Sequence, residues 1–329
     1  MPISAAKETL DFIVIGAQKA GTTSLFEYLK RHPEIALPVG KEAPYFSHEP
    51  ARARGWQQYL KRTFAFADPD SVWGTVTTHY MFGALYEAAN SPVKNNGYTE
   101  TTVPLRIREQ LPAVRLIALL RDPVQRAHSH YMMARLNGLE CRSFDNAIAE
   151  LLKPRALRES RREPHEATGY VVWGEYGRLL SGYFDVFPAE QILVIFTDEL
   201  DHEAEQTLRR IYDFIGVKRD AIPDNIGVRY REGSTVRPIA RLNPYAVQEM
   251  ATRSELLRSL WHRMPDRTQR QADRAFAQVA YWADLFNRGK TSDTDSPSAA
   301  VESRLREHFA PDGDLLRHCL GRSLPWKHG

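Results

Sequence analysis

Residues 11–29, DFIVIGAQKAGTTSLFEYL, constrain this chain more than any other stretch. A short β-branched apolar run ends at Gly16 and a polar loop follows. Thr22, Thr23 and Ser24 then open a helical pattern with Leu25, Tyr28 and Leu29 spaced three and four apart. An unbroken apolar run of that length reads as a strand buried on both faces of a parallel sheet, and Pro33 closes the helix. The order recurs downstream. VRLIALL (114–120) reads as a buried strand, and RDPVQRAHSHYMMARLNG puts proline in the first turn of a helix running to Gly138. Two more strands are expected at 72–78 (VWGTVTT) and 191–196, with helices at 104–111, 174–186 and 202–216. Residues 38–69 read as a loop with a short helix; 142–168 are charge-rich, and RALRESRREPHEATG (155–169) reads as an exposed loop or surface helix.

Strands alternating with helices imply an α/β fold with a central parallel sheet flanked by helices. With no break between two cores, residues 1–329 read as a single domain. Its core covers about 11–240, and a helical part covers 241–329. Within that part NRGKTSDTDSPSAA (287–300) reads as a mobile linker before a last helix at 303–321. At 329 residues the chain can bury most of its apolar surface without a metal or disulfide staple. Cys141 and Cys319 make no disulfide framework and lack zinc spacing, so no metal is expected. Lysine and arginine number 44 against 41 acidic side chains, and a net charge of +3 gives no reason to expect a nucleic-acid partner. No apolar run approaches the ~18 residues of a membrane span, and the N-terminus lacks a secretory pattern. A cytoplasmic protein without a membrane anchor is the expectation; the sequence leaves the oligomeric state open.

GAQKAGTTS lies between strand and helix, where unpaired backbone N–H groups and the positive helix end favour a phosphate. Lys19 adds a charge and the Thr22 and Thr23 hydroxyls add donors; the alternative is a plain turn with N-cap threonines. Gly16 and Gly21 have Walker A spacing, but Thr22 stands where that motif has lysine, and the lysine comes three residues earlier. A triphosphate enzyme would lack its main counter-charge here. Arg121, at the end of the 114–120 strand, offers a planar fork suited to phosphate, and Ser129 follows eight residues on. The other reading of Arg121–Asp122 is a surface ion pair.

Together GAQKAGTTSL and RDPVQRAHSHY resemble the sulfotransferases that use 3′-phosphoadenosine 5′-phosphosulfate (PAPS), which have a P-loop-like fold. The likeness is greatest to the heparan sulfate and bacterial carbohydrate-type branch, and KEAPYF (41–46), FPAEQILVIFTDEL and REHFAPDGDLLRHCLGRSLPW also match it. The resemblance implies that Lys19 contacts the bridging and sulfuryl oxygens. Ala20, Gly21, Thr22, Thr23 and Ser24 form the 5′-phosphate loop, with Ala20 at a second glycine-like position. Arg121 and Ser129 hold the 3′-phosphate, Glu42 is the catalytic base, and Arg237 belongs to a basic loop closing over the nucleotide. The acceptor implied is a hydroxylated small molecule, lipid or carbohydrate.

One departure matters. GTVTTHY (74–80) lacks the acidic or lysine residue often found near the acceptor, and Thr77 and His79 stand there instead. Read without the resemblance, Lys41–Glu42 is a solvated pair. His79 is the rival base, since histidine titrates near neutral pH and a histidine base serves the small-molecule branch of the same fold. Tyr45, Phe46, Trp56, Trp73, Tyr80 and Phe82 supply candidates for an acceptor cleft, though most are expected in the core. The competing functions are a P-loop kinase or NTPase, and a nucleotide-binding protein without catalysis.

Overall fold

The computed structural model describes residues 7–83, 86–88, 91–92, 99–137, 139–163, 165–230 and 296–326. Residues 1–87, 92–231 and 295–329 make up one compact unit, and 88–91 with 232–294 a second. The architecture described here is that of the first. Its strands are β1 (Phe12–Gly16), β2 (Ile35–Ala36), β3 (Val72–Val76), β4 (Arg115–Leu120) and β5 (Ile192–Phe196). They form one sheet in the order β2-β3-β1-β4-β5, every pair parallel, with Phe12 opposite Gly74 on one side and Arg115 on the other. Phe12 to Ile15 and Leu116 to Leu120 are fully buried, which is why neither strand alternates apolar with polar residues.

Helices α1 (Thr22–Leu29), α2 (Glu49–Ala53), α3 (Trp56–Thr63), α4 (His79–Phe82), α5 (Thr102–Gln110) and α6 (Pro123–Leu136) come first. Helices α7 (Phe144–Leu151), α8 (Pro154–Arg162), α9 (Tyr176–Phe184), α10 (Thr197–His202), α11 (Ala204–Ile215) and α12 (Ala299–Leu320) follow. From β1 the chain crosses to β2 and returns through β3 on the same side. It then passes to β4 on the other edge of β1. The connections leaving β1 and β4 therefore diverge over the carboxyl ends of neighbouring strands, where open α/β sheets hold their ligands. Both expected anion-binding segments begin at that point.

Two expectations need correction, and one helix was not foreseen. In the charge-rich 142–168, Phe144, Ala147, Ile148 and Leu151 on α7 join Tyr131, Tyr170, Leu305 and Phe309 in a second apolar cluster. Their spacing is helical, but the charged flanks hide it; α8 is the surface helix expected within 155–169. The 72–78 strand stops at Val76, and α4 starts three residues later. Its Met81 lies so close to β1 that a Cβ at Gly16 would come within 2.7 Å of the Met81 Cβ, so only glycine admits this approach. Finally, Ser298 caps α12 by accepting from the Val301 N–H, so 298–300 belong to a helix, not a linker. Residues 287–295 lie outside the described residues.

Candidate active site

The loop between β1 and α1 is held from below. The Ala17 N–H donates to the Leu119 carbonyl (2.7 Å), and the Thr197 hydroxyl lies 2.7 Å from the Ala20 carbonyl and 3.0 Å from that of Leu120. Gly21 takes φ 94°, and a Cβ there would make only ordinary contact with Leu119, so the backbone conformation and not crowding calls for glycine. Lys19 also sits in the left-handed region, at φ 68°. Among the described residues no side chain caps α1, which leaves its first N–H groups for an anion at the loop. Ala20, Thr22 and Ser24 are buried and Thr23 half-buried. The Ser24 hydroxyl accepts from the Tyr230 N–H (3.0 Å) and keeps its own proton to donate. Tyr230 thus lies against the first turn of α1; Arg237 lies outside the described residues.

Arg121 meets this loop. Its guanidinium donates to the Lys19 carbonyl (3.5 Å) and to Gln125 (3.2 and 3.3 Å). Asp122 is not its ion-pair partner: that carboxylate caps α6 through the Val124 and Gln125 N–H groups and pairs with Arg306 (3.3 Å). Ser129 is half-buried on α6, two turns beyond Arg121.

Glu42 comes to the end of β3. One carboxylate oxygen accepts from the Thr78 N–H (3.0 Å), the other from the Thr78 hydroxyl (3.2 Å) and from Lys41. Burial, the largest influence, pushes the carboxyl up. The charges of Lys41 and His79 and the bonds from Lys41 and the Thr78 N–H outweigh it, and Glu42 is held below the usual carboxylate range. The side chain keeps 36% of its surface open, so the ionised group can still be reached. Its loop is pinned: Ala43 donates to the Thr77 hydroxyl (3.3 Å), Tyr45 to the Tyr80 hydroxyl (2.8 Å), and Tyr59 to the Ala43 carbonyl (2.8 Å). Glu42 thus lies against the end of GTVTTHY, and both candidate bases, Glu42 and His79, flank Thr78. Tyr45, Phe46, Trp56, Trp73, Tyr80 and Phe82 are all buried. Of these only Phe82, stacked on Trp173 at 3.7 Å, also lines a small pocket beyond α4.

Sequence reading passed over two residues. Thr197 joins the β1 loop to the end of β4. Glu166, from the stretch read as exposed, accepts from Gln18 (2.9 Å) and His130 (3.2 Å). Neither carried a local signal, because their partners lie far off in the chain.

A family model described as the sulfotransferase domain matches residues 9–232. The chain belongs to the sulfotransferase family. It is 26% identical over 222 residues to heparan sulfate glucosamine 3-O-sulfotransferase 3B1 of Mus musculus, covering 66% of this chain and 48% of that protein. It is 35% identical over 121 residues to the membrane-associated sulfotransferase kil1 of Dictyostelium discoideum, covering 37% and 22%. The chain thus spans about half or less of the length of these curated relatives. A sulfotransferase structure from Alicyclobacillus acidocaldarius superposes with a TM-score of 0.62 at 22% identity, covering 96% of this chain and 97% of that one, which supports the fold. Membership in this family goes against the kinase and NTPase alternative. Among the described residues no helix is long and apolar enough to cross a membrane.

Proposed function

We propose that this sulfotransferase moves a sulfuryl group from PAPS to a hydroxyl of a small-molecule, lipid or carbohydrate acceptor. The observation that carries this reading is the meeting of both anion-binding segments at the β1–β4 crevice, where Arg121 reaches the Lys19 carbonyl and Thr197 reaches both loops. A nucleotide with a 5′-phosphosulfate and a 3′-phosphate matches this pair of sites. The residues fit such a donor: an uncapped helix start and Lys19 at one end, a guanidinium and the Ser129 hydroxyl at the other.

In the reaction, Glu42 takes the proton of the acceptor hydroxyl as its oxygen bonds to sulfur. The bond from sulfur to the bridging oxygen breaks, and Lys19 meets the charge left on the departing phosphate. A carboxylate held this low is a weak base. It therefore takes the proton as sulfur–oxygen bond formation makes the hydroxyl more acidic, not beforehand. One relative is named for sulfation of the glycan heparan sulfate, which makes a carbohydrate hydroxyl the first acceptor to try. The test is transfer of labelled sulfuryl from PAPS to a panel of hydroxylated glycans, lipids and phenols. Labelled product with at least one of them is expected. A protein that binds the bisphosphate product yet labels no acceptor in the panel would contradict the reading.

A further inference from the structure

Glu166 lies outside the roles assigned above, yet it connects them. Its two carboxylate oxygens take bonds from separate parts of the donor site. Oε1 accepts from Nε2 of Gln18 in the β1 loop, and Oε2 pairs with Nε2 of His130, the residue after Ser129 on α6. The direction of the second bond is fixed from behind. Arg126 has only N–H groups to offer, so at 3.3 Å it must donate to Nδ1 of His130, and Nε2 must carry the proton given to Glu166. Burial holds His130 down to about 4, consistent with that neutral ring. Only an ionised carboxylate can accept at both ends. Burial pushes the Glu166 carboxyl up, but the hydrogen bonds from His130 and Gln18 and the nearby charge of His79 hold it below the usual carboxylate range.

The segment carrying Glu166 is itself rigid. Arg126, fully buried, donates to the carbonyls of Gly169 and Tyr170, and the His165 carbonyl accepts from the N–H groups of Thr168 and Gly169. What this rigidity restrains is Lys19. A lysine at φ 68° occupies a conformation that costs roughly 1–2 kcal/mol and persists only where the surroundings enforce it. The restraints lie on either side: the preceding side chain, Gln18, is tied to Glu166, and the Lys19 carbonyl is held by Arg121.

We propose that Glu166 is a positioning residue: through Gln18 it holds the β1 loop so that the Lys19 amine faces the sulfuryl end of the donor. This rests on the donor-site reading above. The role is indirect, so Glu166 touches neither donor nor acceptor.

A double-mutant cycle of Glu166→Ala and Gln18→Ala tests it, with turnover measured at saturating PAPS on an acceptor that the unmodified protein uses. Affinity for 3′-phosphoadenosine 5′-phosphate is measured in parallel by calorimetry. Glu166→Ala is expected to lower turnover roughly ten- to a hundredfold, the scale of a lost hydrogen bond to a charged group. Affinity for the bisphosphate, which has no sulfuryl group, should change by less than about threefold. In the Gln18→Ala background, removing Glu166 should cost less than about a further twofold, because the connection is already cut. The same loss in both backgrounds, or no loss in either, would overturn the proposal and leave Glu166 a plain structural ion. Should Glu166→Ala not fold, the cycle is run with Glu166→Gln, which offers one acceptor and one donor and so keeps one of the two bonds. Failure of the unmodified protein to bind the bisphosphate would instead count against the donor reading, and shows before any variant is made.

Discussion

At the scale of single residues, the account depends on which group takes the acceptor's proton. Glu42→Gln keeps the shape and one acceptor for the Thr78 N–H but cannot take a proton. Turnover should fall by roughly 10²–10⁴ with nucleotide affinity intact. The pH profile separates the two candidates. The folded carboxyl of Glu42 lies below its ordinary value of 4.5, so turnover should stay level as pH falls to that value and drop only below it. Turnover lost in His79→Ala while Glu42→Gln stays active would assign the base to the histidine. The sequence marked both residues as candidates. What it did not show is that KEAPYF folds back onto the end of β3, since the Glu42–Thr78 bonds span 36 positions.

The next scale is that of the elements, where two strand–loop–helix units share one support. β1 with α1 and β4 with α6 were legible from the sequence because each carries its own signal: an apolar run, a glycine or proline, then a helical period. Their junction was not, because Thr197 reads as an ordinary helix start after β5. Its hydroxyl, near both the Ala20 and Leu120 carbonyls, ties the β1 loop to the end of β4, and on the proposed donor reading it sets the spacing between the two phosphate sites. Thr197→Val keeps the volume and removes the bonds. Affinity for the bisphosphate nucleotide should weaken by about tenfold, consistent with one hydrogen bond lost, while Thr197→Ser should stay near the parent. Equal affinities for Val and Ser by calorimetry would show that the spacing is set elsewhere. α7 was missed for a related reason: its apolar residues have helical spacing, but the charges around them dominate the local composition.

Across the whole first unit, Glu175 joins three helices. Almost fully buried at the start of α9, its carboxylate pairs with Arg161 of α8 (2.7 Å), Arg178 of α9 (2.7 Å) and His308 of α12 (3.0 Å). Burial pushes it up, but these bonds and charges win and hold it down to about 2, against 4.5 when unpaired. A carboxyl depressed on folding adds stability that is present above 4.5 and is lost as pH falls toward 2. The contribution at neutral pH is on the order of 3 kcal/mol. Denaturant midpoints of the parent and Glu175→Gln should therefore differ most above pH 4.5 and converge toward pH 2. A constant gap across that range would mean that the ion cluster does not stabilise the assembly of α8, α9 and α12. The alternation of strands and helices made the sheet legible, whereas this cluster depends on α12 returning more than a hundred residues later.

The central claim is that one crevice between β1 and β4 holds a nucleotide at both its 5′ and 3′ phosphates. Calorimetry with 3′-phosphoadenosine 5′-phosphate and with ATP, on the parent protein and on Arg121→Ala, addresses it most directly. The bisphosphate should bind more tightly than ATP, and Arg121→Ala should weaken it by about one to two decades, the loss expected for a charge-assisted bond. Binding of ATP as tight as that of the bisphosphate, or a bisphosphate affinity untouched by Arg121→Ala, would contradict the claim.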